Sequence, residues 1–406
     1  MRQKSSIPFV GLHAHTGPGS PFDGLGYPKE HMESAFMNGC DALAQTDHGN
    51  MNSFAYQVQH AQEMMKEGKD FKPIFGVEAY FLPDLDQWRE ELERARQDKK
   101  SKKNIDTSKA GTTIEDEGGS KSKNKNILNR RRHLILLAQN QTGLNNIFSM
   151  VSKSYNSENF YRFPRMDYKM LEEHKEGVIA ASACLGGVYA GDYWENREKG
   201  DEAVMAAFRE TTEKMLGIYG DRWYGELQWN KVADQHALNK FIIQVCKEYD
   251  VKLISTADSH YPSQQAWRDR ELYKRLGWLS KGTPPWAKDK DIPADVEEIG
   301  YELFPKNGDQ MWEAYKLYSE KVGSTYDDDV IRESIERTHH IAHERIERFM
   351  PDNTVRLPDF VVPSGHTADG ALIAACADGL RHRGFKGEKE YLDRLKGELE
   401  VIADRG

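Results

Sequence analysis

The feature that most limits how this chain can fold is an alternation of short β-rich apolar runs with helix-period segments. Seven such runs occur: FVGLHAH (9–15), CDALAQTDH (40–48), KPIFGVEAYF (72–81), HLILLAQN (133–140), GVIAASACL (177–185), RWYGELQW (222–229) and VKLISTADSHY (251–261). Between most of them lie segments of helical period, among them FAYQVQHAQEMMKEG, TGLNNIFSMVSKSY and ADQHALNKFIIQVCKEY. Strands alternating with helices predict a parallel α/β arrangement. Seven strands is close to the eight of a (β/α) barrel, so closure into a barrel is expected, with an open doubly wound sheet as the alternative.

The ends of these runs carry the chemistry. Side chains at i and i+2 of a strand share a face, so His13 and His15 reach one point together, with Asp23 close behind. Alone, that pair is equally an ordinary polar strand end. In a barrel, however, sites form at the C-terminal strand ends. Read in order, those ends supply His13 and His15, Asp47 and His48, Glu78, Cys184, and Asp258 and His260. These are the residue types that bind zinc, manganese or iron. His133 precedes its run, which the barrel rule places on the far face, and the run around Trp229 offers no clear ligand. Leaving this many buried polar groups unpartnered on one face costs a few kcal/mol each, so a metal centre is expected.

With 406 residues the chain exceeds one typical core, and one large domain plus a smaller one is expected. No apolar run approaches the ~20 residues of a membrane helix, and MRQKSSIPFV lacks the apolar core of a secretion signal. Four scattered cysteines (Cys40, Cys184, Cys246, Cys376) fit free thiols in a reducing cytoplasm. The net charge of −9 argues against holding nucleic acid by bulk charge, but residues 94–132 carry a local +8. A nucleic-acid partner would be met by local patches or held by another polypeptide.

The first domain is expected over 1–280, with 84–132 as a charged insertion whose stretch 98–126 is too polar to order. That insertion reads as a solvated tether rather than a basic flap over a nucleic-acid path. Residues 281–298, rich in Pro and Lys, read as a linker, and 299–406 as a smaller helical region.

FVGLHAH, ALAQTDHGNM, KPIFGVEAYF, HLILLAQNQTGLNNIFSMVS, FPRMDYKMLEEHKEGVIAASACLGG and STADSHY resemble the PHP (polymerase and histidinol phosphatase) domain. More closely, they resemble its version at the N-terminus of bacterial C-family polymerases, the DNA polymerase III alpha subunits. LPDFVVPSG and YLDRLKGELEVIADRG look like that family's start of the polymerase thumb. The resemblance implies a distorted seven-stranded barrel with three divalent transition-metal ions, zinc foremost and manganese or iron as alternatives. By resemblance His13, His15, Glu78 and Asp258 surround one ion. Glu78 bridges to a second held by His133 and Cys184, and a third sits among Asp23, His48 and His260. Asp23, His48, Asp258 and His260 would also serve the catalytic step.

No Cys or Ser nucleophile stands beside a base, so metal-assisted phosphoester hydrolysis is the reaction class expected. The resemblance points to a proofreading 3′–5′ exonuclease acting on DNA, without polymerase activity in this chain itself. The alternatives are a phosphatase of the histidinol phosphate type and a non-catalytic module that metals brace. Arg162 and Arg165 in FYRFPRMD are candidates to hold phosphates, with structural ion pairs as the other reading. His339, His340 and His343 lie on a predicted helix and read as a wet helical face, because the glutamate of HExxH is missing. The final helix presents Leu392, Leu395, Leu399 and Ile402 as an apolar stripe that needs a cover. That cover would be the chain's own helical region or a second polypeptide carrying the polymerase core.

Overall fold

The computed structural model describes residues 2–101, 127–280, 299–352, 354–355 and 360–405. The 281–298 linker and nearly all of the 98–126 tether lie outside the described residues.

Six strands form one sheet in sequence order: β1 (Ala42–Gln45), β2 (Lys72–Phe81), β3 (Arg132–Ala138), β4 (Val178–Ala181), β5 (Trp223–Gln228) and β6 (Lys252–Thr256). The run at 9–15 is not a seventh regular strand. Its Gly11 bridges Leu43 of β1, and its Ala14 bridges Ser259 just past β6. Ala44 N–H donates to Gly11 O (2.8 Å), and His15 N–H to Ser259 O (2.7 Å). The segment therefore joins the first strand to the last and closes the barrel, while its kink leaves too few paired residues for a ladder.

The all-parallel expectation needs correction. β1–β2, β4–β5 and β5–β6 are parallel, but β3 runs antiparallel to both β2 and β4. A parallel pair requires a crossover that carries the chain back along the sheet. The helix after β2, Leu85–Ser101, does not do this. Leu85, Trp88 and Leu92 pack with Leu82 and Leu128 in a separate small cluster, so the chain re-enters β3 at the end where it left β2.

Alternation along each strand then fills the barrel. Val10, Leu12, Ala42, Ala44, Ile74, Ile135, Leu137, Ile179, Ala181, Tyr224 and Ile254 form the apolar interior. Two residues further along the same inward face come the polar groups: Glu78 after Ile74 and Gly76, Glu226 after Tyr224, Asp258 after Ile254 and Thr256. On the reversed β3 the sequence inverts, and His133 precedes Ile135.

The described residues of 299–351 pack on the barrel. Ile341, Ala342 and Ile346 plug its lower end, and Ile331 and Ile335 of the helix Asp328–His340 join the outer core. Ser334 Oγ meets Ser255 Oγ at 2.7 Å, and Arg337 donates to Leu253 O at 2.8 Å. Two compact units result, Met1–Pro351 and Asp352–Gly406, so the division falls later than the 281–298 stretch expected from composition. The second unit contains the helices Ala368–His382 and Lys389–Arg405. The latter buries none of its residues, and Leu392, Val401 and Ile402 are 44%, 60% and 50% exposed. Of the expected apolar stripe, Leu392 and Ile402 are exposed while Leu395 and Leu399 are half-buried, so its cover within the unit is partial.

Candidate metal centre

The inward faces of the strands converge at one end of the barrel, and all nine residues expected as ligands meet there. Glu78 lies at the centre, fully buried. Its Oε1 is 2.8 Å from His133 Nδ1 and 3.3 Å from His13 Nε2, while its Oε2 is 2.6 Å from His48 Nδ1 and 3.5 Å from His15 Nε2. Cys184 Sγ is 3.5 Å from His133 Nδ1 and 3.8 Å from Glu78 Oε1. Asp258 Oδ1 lies 3.1 Å from His13 Nε2 and 3.2 Å from His15 Nε2. Asp23 Oδ2 approaches His48 Nε2 (3.1 Å) and His260 Nε2 (3.3 Å).

These groups fit metal ions better than one another. Glu78 Oε2 and Asp258 Oδ1 are buried and take part in no hydrogen bond of acceptable geometry, although imidazole nitrogens crowd both. Ligands arranged around points between them look like this. Three overlapping triads have donor atoms within 4.8 Å of one another: His13–His15–Asp258, His15–His48–His260 and His48–Glu78–His133. The donor set exceeds what one tetrahedral ion can use. Two left-handed residues shape the rim, Ala183 (φ 60°) directly before Cys184 and Asp258 itself (φ 48°), a cost of roughly 1–3 kcal/mol each that clusters at functional sites.

Electrostatics divide the set: against the effect of burial, the neighbouring carboxylates raise His13 and His260, and burial together with those carboxylates raises the Cys184 thiol. Burial pushes His15 down, and the nearby His48 and His260 push further, to about 3, so this imidazole is neutral with a lone pair to offer. Burial alone would raise Glu78, but His133, His48 and His13 hold it well below the usual carboxylate range. Burial likewise opposes ionisation of Asp23, and His260 and Arg270 outweigh it.

Several supporting residues were not legible in the sequence. Glu226 on β5 accepts from His13 Nδ1 at 2.7 Å and from Thr256 Oγ1 at 2.6 Å. Against its burial, Asp258, Glu226 and Glu78 raise His13 well above the usual imidazole range; with the Nδ1 proton held by Glu226, a cation at the centre would displace the Nε2 proton and take that lone pair. Arg270, buried on the helix Trp267–Ser280, donates to Asp23 Oδ1 (2.6 Å) and Asp23 O (3.0 Å). Asp47 is not a ligand. Its carboxylate accepts from Thr16 N, Thr16 Oγ1, Ser20 Oγ and Ser53 Oγ, bracing the loop after His15. Gly19 has to be glycine there, because a Cβ would lie 2.2 Å from the Asp47 carboxyl carbon.

Arg165 corrects an expectation. It is fully buried, and its guanidinium donates to the carbonyls of Leu128, Arg130, Tyr161 and Phe163, so it cannot reach a phosphate. Arg162 remains partly exposed in left-handed backbone (φ 61°). Arg131, which sequence reasoning passed over, lies 3.8 Å above the Phe163 ring and 5.2 Å from that of Tyr80. Tyr80 in turn stacks beside His48, with ring centroids 6.1 Å apart.

The PHP domain profile matches residues 11–230, more than half of the chain. The chain belongs to the PHP domain family. Seven of the nine converging residues lie inside the match, and Asp258 and His260 lie beyond it. Along its length the chain is 31% identical to DNA polymerase III subunit alpha of Aquifex aeolicus, covering 98% of this chain and 30% of that one. It is 30% identical to the same subunit of Helicobacter pylori strain 26695, covering 99% and 30%. The chain thus spans about 30% of the length of these curated relatives. A two-domain Bacteroides vulgatus protein with a PHP-like phosphoesterase superposes at TM-score 0.33 and 14% identity, over 67% of this chain and 60% of that one.

Glu226→Gln tests the support beneath the candidate ligand His13. It should weaken metal affinity about 10- to 100-fold, the usual cost of losing an outer partner of a ligating histidine. Competition against a coloured chelator measures it.

Proposed function

We propose that the barrel mouth holds three divalent transition-metal ions, zinc foremost, and hydrolyses DNA phosphodiesters from the 3′ end as a proofreading exonuclease. The observation that carries this reading is the central carboxylate of Glu78, facing four imidazoles from three different segments. The ions would divide as His13, His15, Glu78 and Asp258; Glu78, His133 and Cys184; and Asp23, His48 and His260. Ions bound there supply Lewis-acid stabilisation of phosphoryl oxygens and lower the pKa of a water.

The chain's own groups then have separable tasks. Glu226 sets the tautomer of His13, and Arg270 turns Asp23 so that Oδ2 faces His48 and His260. His13, His15 and Glu78 are sealed from solvent, whereas the side chains of His48 and Asp23 are 11% and 13% exposed. Substrate therefore enters at Asp23 and His48, with Asp258 and His260 behind them, and these four serve the catalytic step. Arg162 and Arg131 are assigned to the phosphates, and Tyr80 offers a face beside them for a base.

Similarity to polymerase subunits over nearly the whole chain favours DNA over a small ester as substrate. A polymerase core on a second polypeptide would cover the apolar face of Lys389–Arg405 and supply positive charge for DNA beside a chain of net charge −9, in the cytoplasm. A labelled primer–template incubated with the metal-loaded chain should lose nucleotides from its 3′ end, and chelation should stop this. Phosphate release from a small monoester without trimming would shift the reading to a phosphatase. Neither activity, with chelation only lowering the melting temperature, would leave a metal-braced module.

A further inference from the structure

At the other end of the barrel from the ligand cluster, three side chains from distant parts of the sequence meet. Asp41 immediately precedes β1, and His339 and His343 are four residues apart where the helix Asp328–His340 passes into a π-helical turn, Ile341–Arg345. His343 Nε2 lies 3.1 Å from Asp41 Oδ1, and His339 Nε2 lies 3.5 Å from Asp41 Oδ2. The two imidazole rings are 4.3 Å apart, centroid to centroid. All three donor atoms fall within 4.8 Å of one another.

We propose that Asp41, His339 and His343 form a second, independent transition-metal site of the His2Asp class, suited to Zn²⁺ or a similar ion. Around a tetrahedral ion with bonds of about 2.0–2.2 Å, neighbouring donor atoms stand about 3.3 Å apart, and the Asp41–imidazole spacings of 3.1 and 3.5 Å, one to each carboxylate oxygen, bracket that value. Without an ion His343 Nε2–H donates to Asp41 Oδ1; a cation would replace that proton and draw on the lone pairs of both imidazoles.

The scaffold fixes these ligands before any ion arrives. Asp41 O accepts from Lys72 N (2.8 Å), and the Lys72 ammonium donates to Ala342 O and Ile346 O at the end of the π-turn. Glu347 N–H donates to Gln139 O (2.7 Å). The three side chains are 27–38% exposed, open enough for an ion and a completing water. π-turns are rare and occur frequently at functional sites. Here the turn carries Ile341 and Ala342, which plug the barrel, so a bound ion clamps that plug to the start of β1. The HxxxH spacing, read from sequence as a wet helical face, acquires its third ligand only through the fold.

This site does not depend on the proposed chemistry at the barrel mouth, and a difference measurement separates the two. The full chain and a His339→Ala/His343→Ala variant are loaded with Zn²⁺, dialysed side by side and analysed for metal. The variant should carry one equivalent fewer, whatever the mouth holds. His340→Ala, altering an exposed neighbour that is not a ligand, should match the wild type. Should the double variant not fold, carbethoxylation of the wild-type chain with and without Zn²⁺, read by peptide mass spectrometry, decides. Zn²⁺ should protect His339 and His343 and leave His340 reactive. Equal metal content in a folded double variant, or equal modification of His339 and His343 with and without Zn²⁺, overturns the proposal.

Discussion

Glu78→Gln should remove at least two ions from the chain and lower 3′ trimming on the order of 10³-fold or more, the scale on which losing one preorganised electrostatic contact at a reacting centre costs. The substitution keeps the volume of a residue fully buried in β2, opposite Ile135 of β3, so the sheet should persist. It replaces an anion facing His13, His15, His48 and His133 with a neutral amide that cannot bridge two cations. Circular dichroism establishes the fold, and elemental analysis and a primer assay give the two losses. A variant that keeps its metal content would show that Glu78 is an acceptor for imidazole N–H groups and no more.

Arg165→Met should destabilise the first unit by about 3 kcal/mol or more, since four buried carbonyls lose their donor at once. Roughly 4 °C or more in melting temperature is the corresponding shift for a unit of this size. The Arg165 guanidinium also lies 4.5 Å above the Trp88 ring, so the base of the insertion should loosen with it. Trimming by the fraction that remains folded should be unchanged. Arg162→Ala should do the reverse, leaving the melting temperature near its starting value and weakening DNA binding, most visibly at low salt. Thermal denaturation and primer-binding titrations of the two variants separate a strut from a phosphate contact.

These residues show what the sequence could and could not reveal. The apolar runs located all six strands, because alternation and length survive in one dimension. Strand direction does not. β3 reverses because the helix after β2 packs into its own cluster instead of recrossing the sheet, and no local pattern records that choice. The reversal is what brings His133 to the ligand end, so the resemblance named the residue and the topology explains it. Most of the converging groups were legible because a polar group ending an apolar strand is conspicuous. Glu226 was not, since it sits inside RWYGELQW among residues that look like core, and only the inward phase of β5 points it at His13. Arg165 and Arg162 stand three apart in one loop with the same chemistry, and only burial assigns one to the scaffold and the other to the surface. Asp41 is likewise an unremarkable loop residue until folding sets it beside His339 and His343.

The most direct measurement of the barrel-mouth centre is the metal content of the His339→Ala/His343→Ala chain after reconstitution and dialysis, so that the far site contributes nothing. Nine converging donors predict at least two equivalents per chain, rising to three at saturation, and their loss on Glu78→Gln. One equivalent or fewer in a folded chain would contradict a multinuclear centre, and with it the hydrolytic chemistry assigned to the barrel mouth.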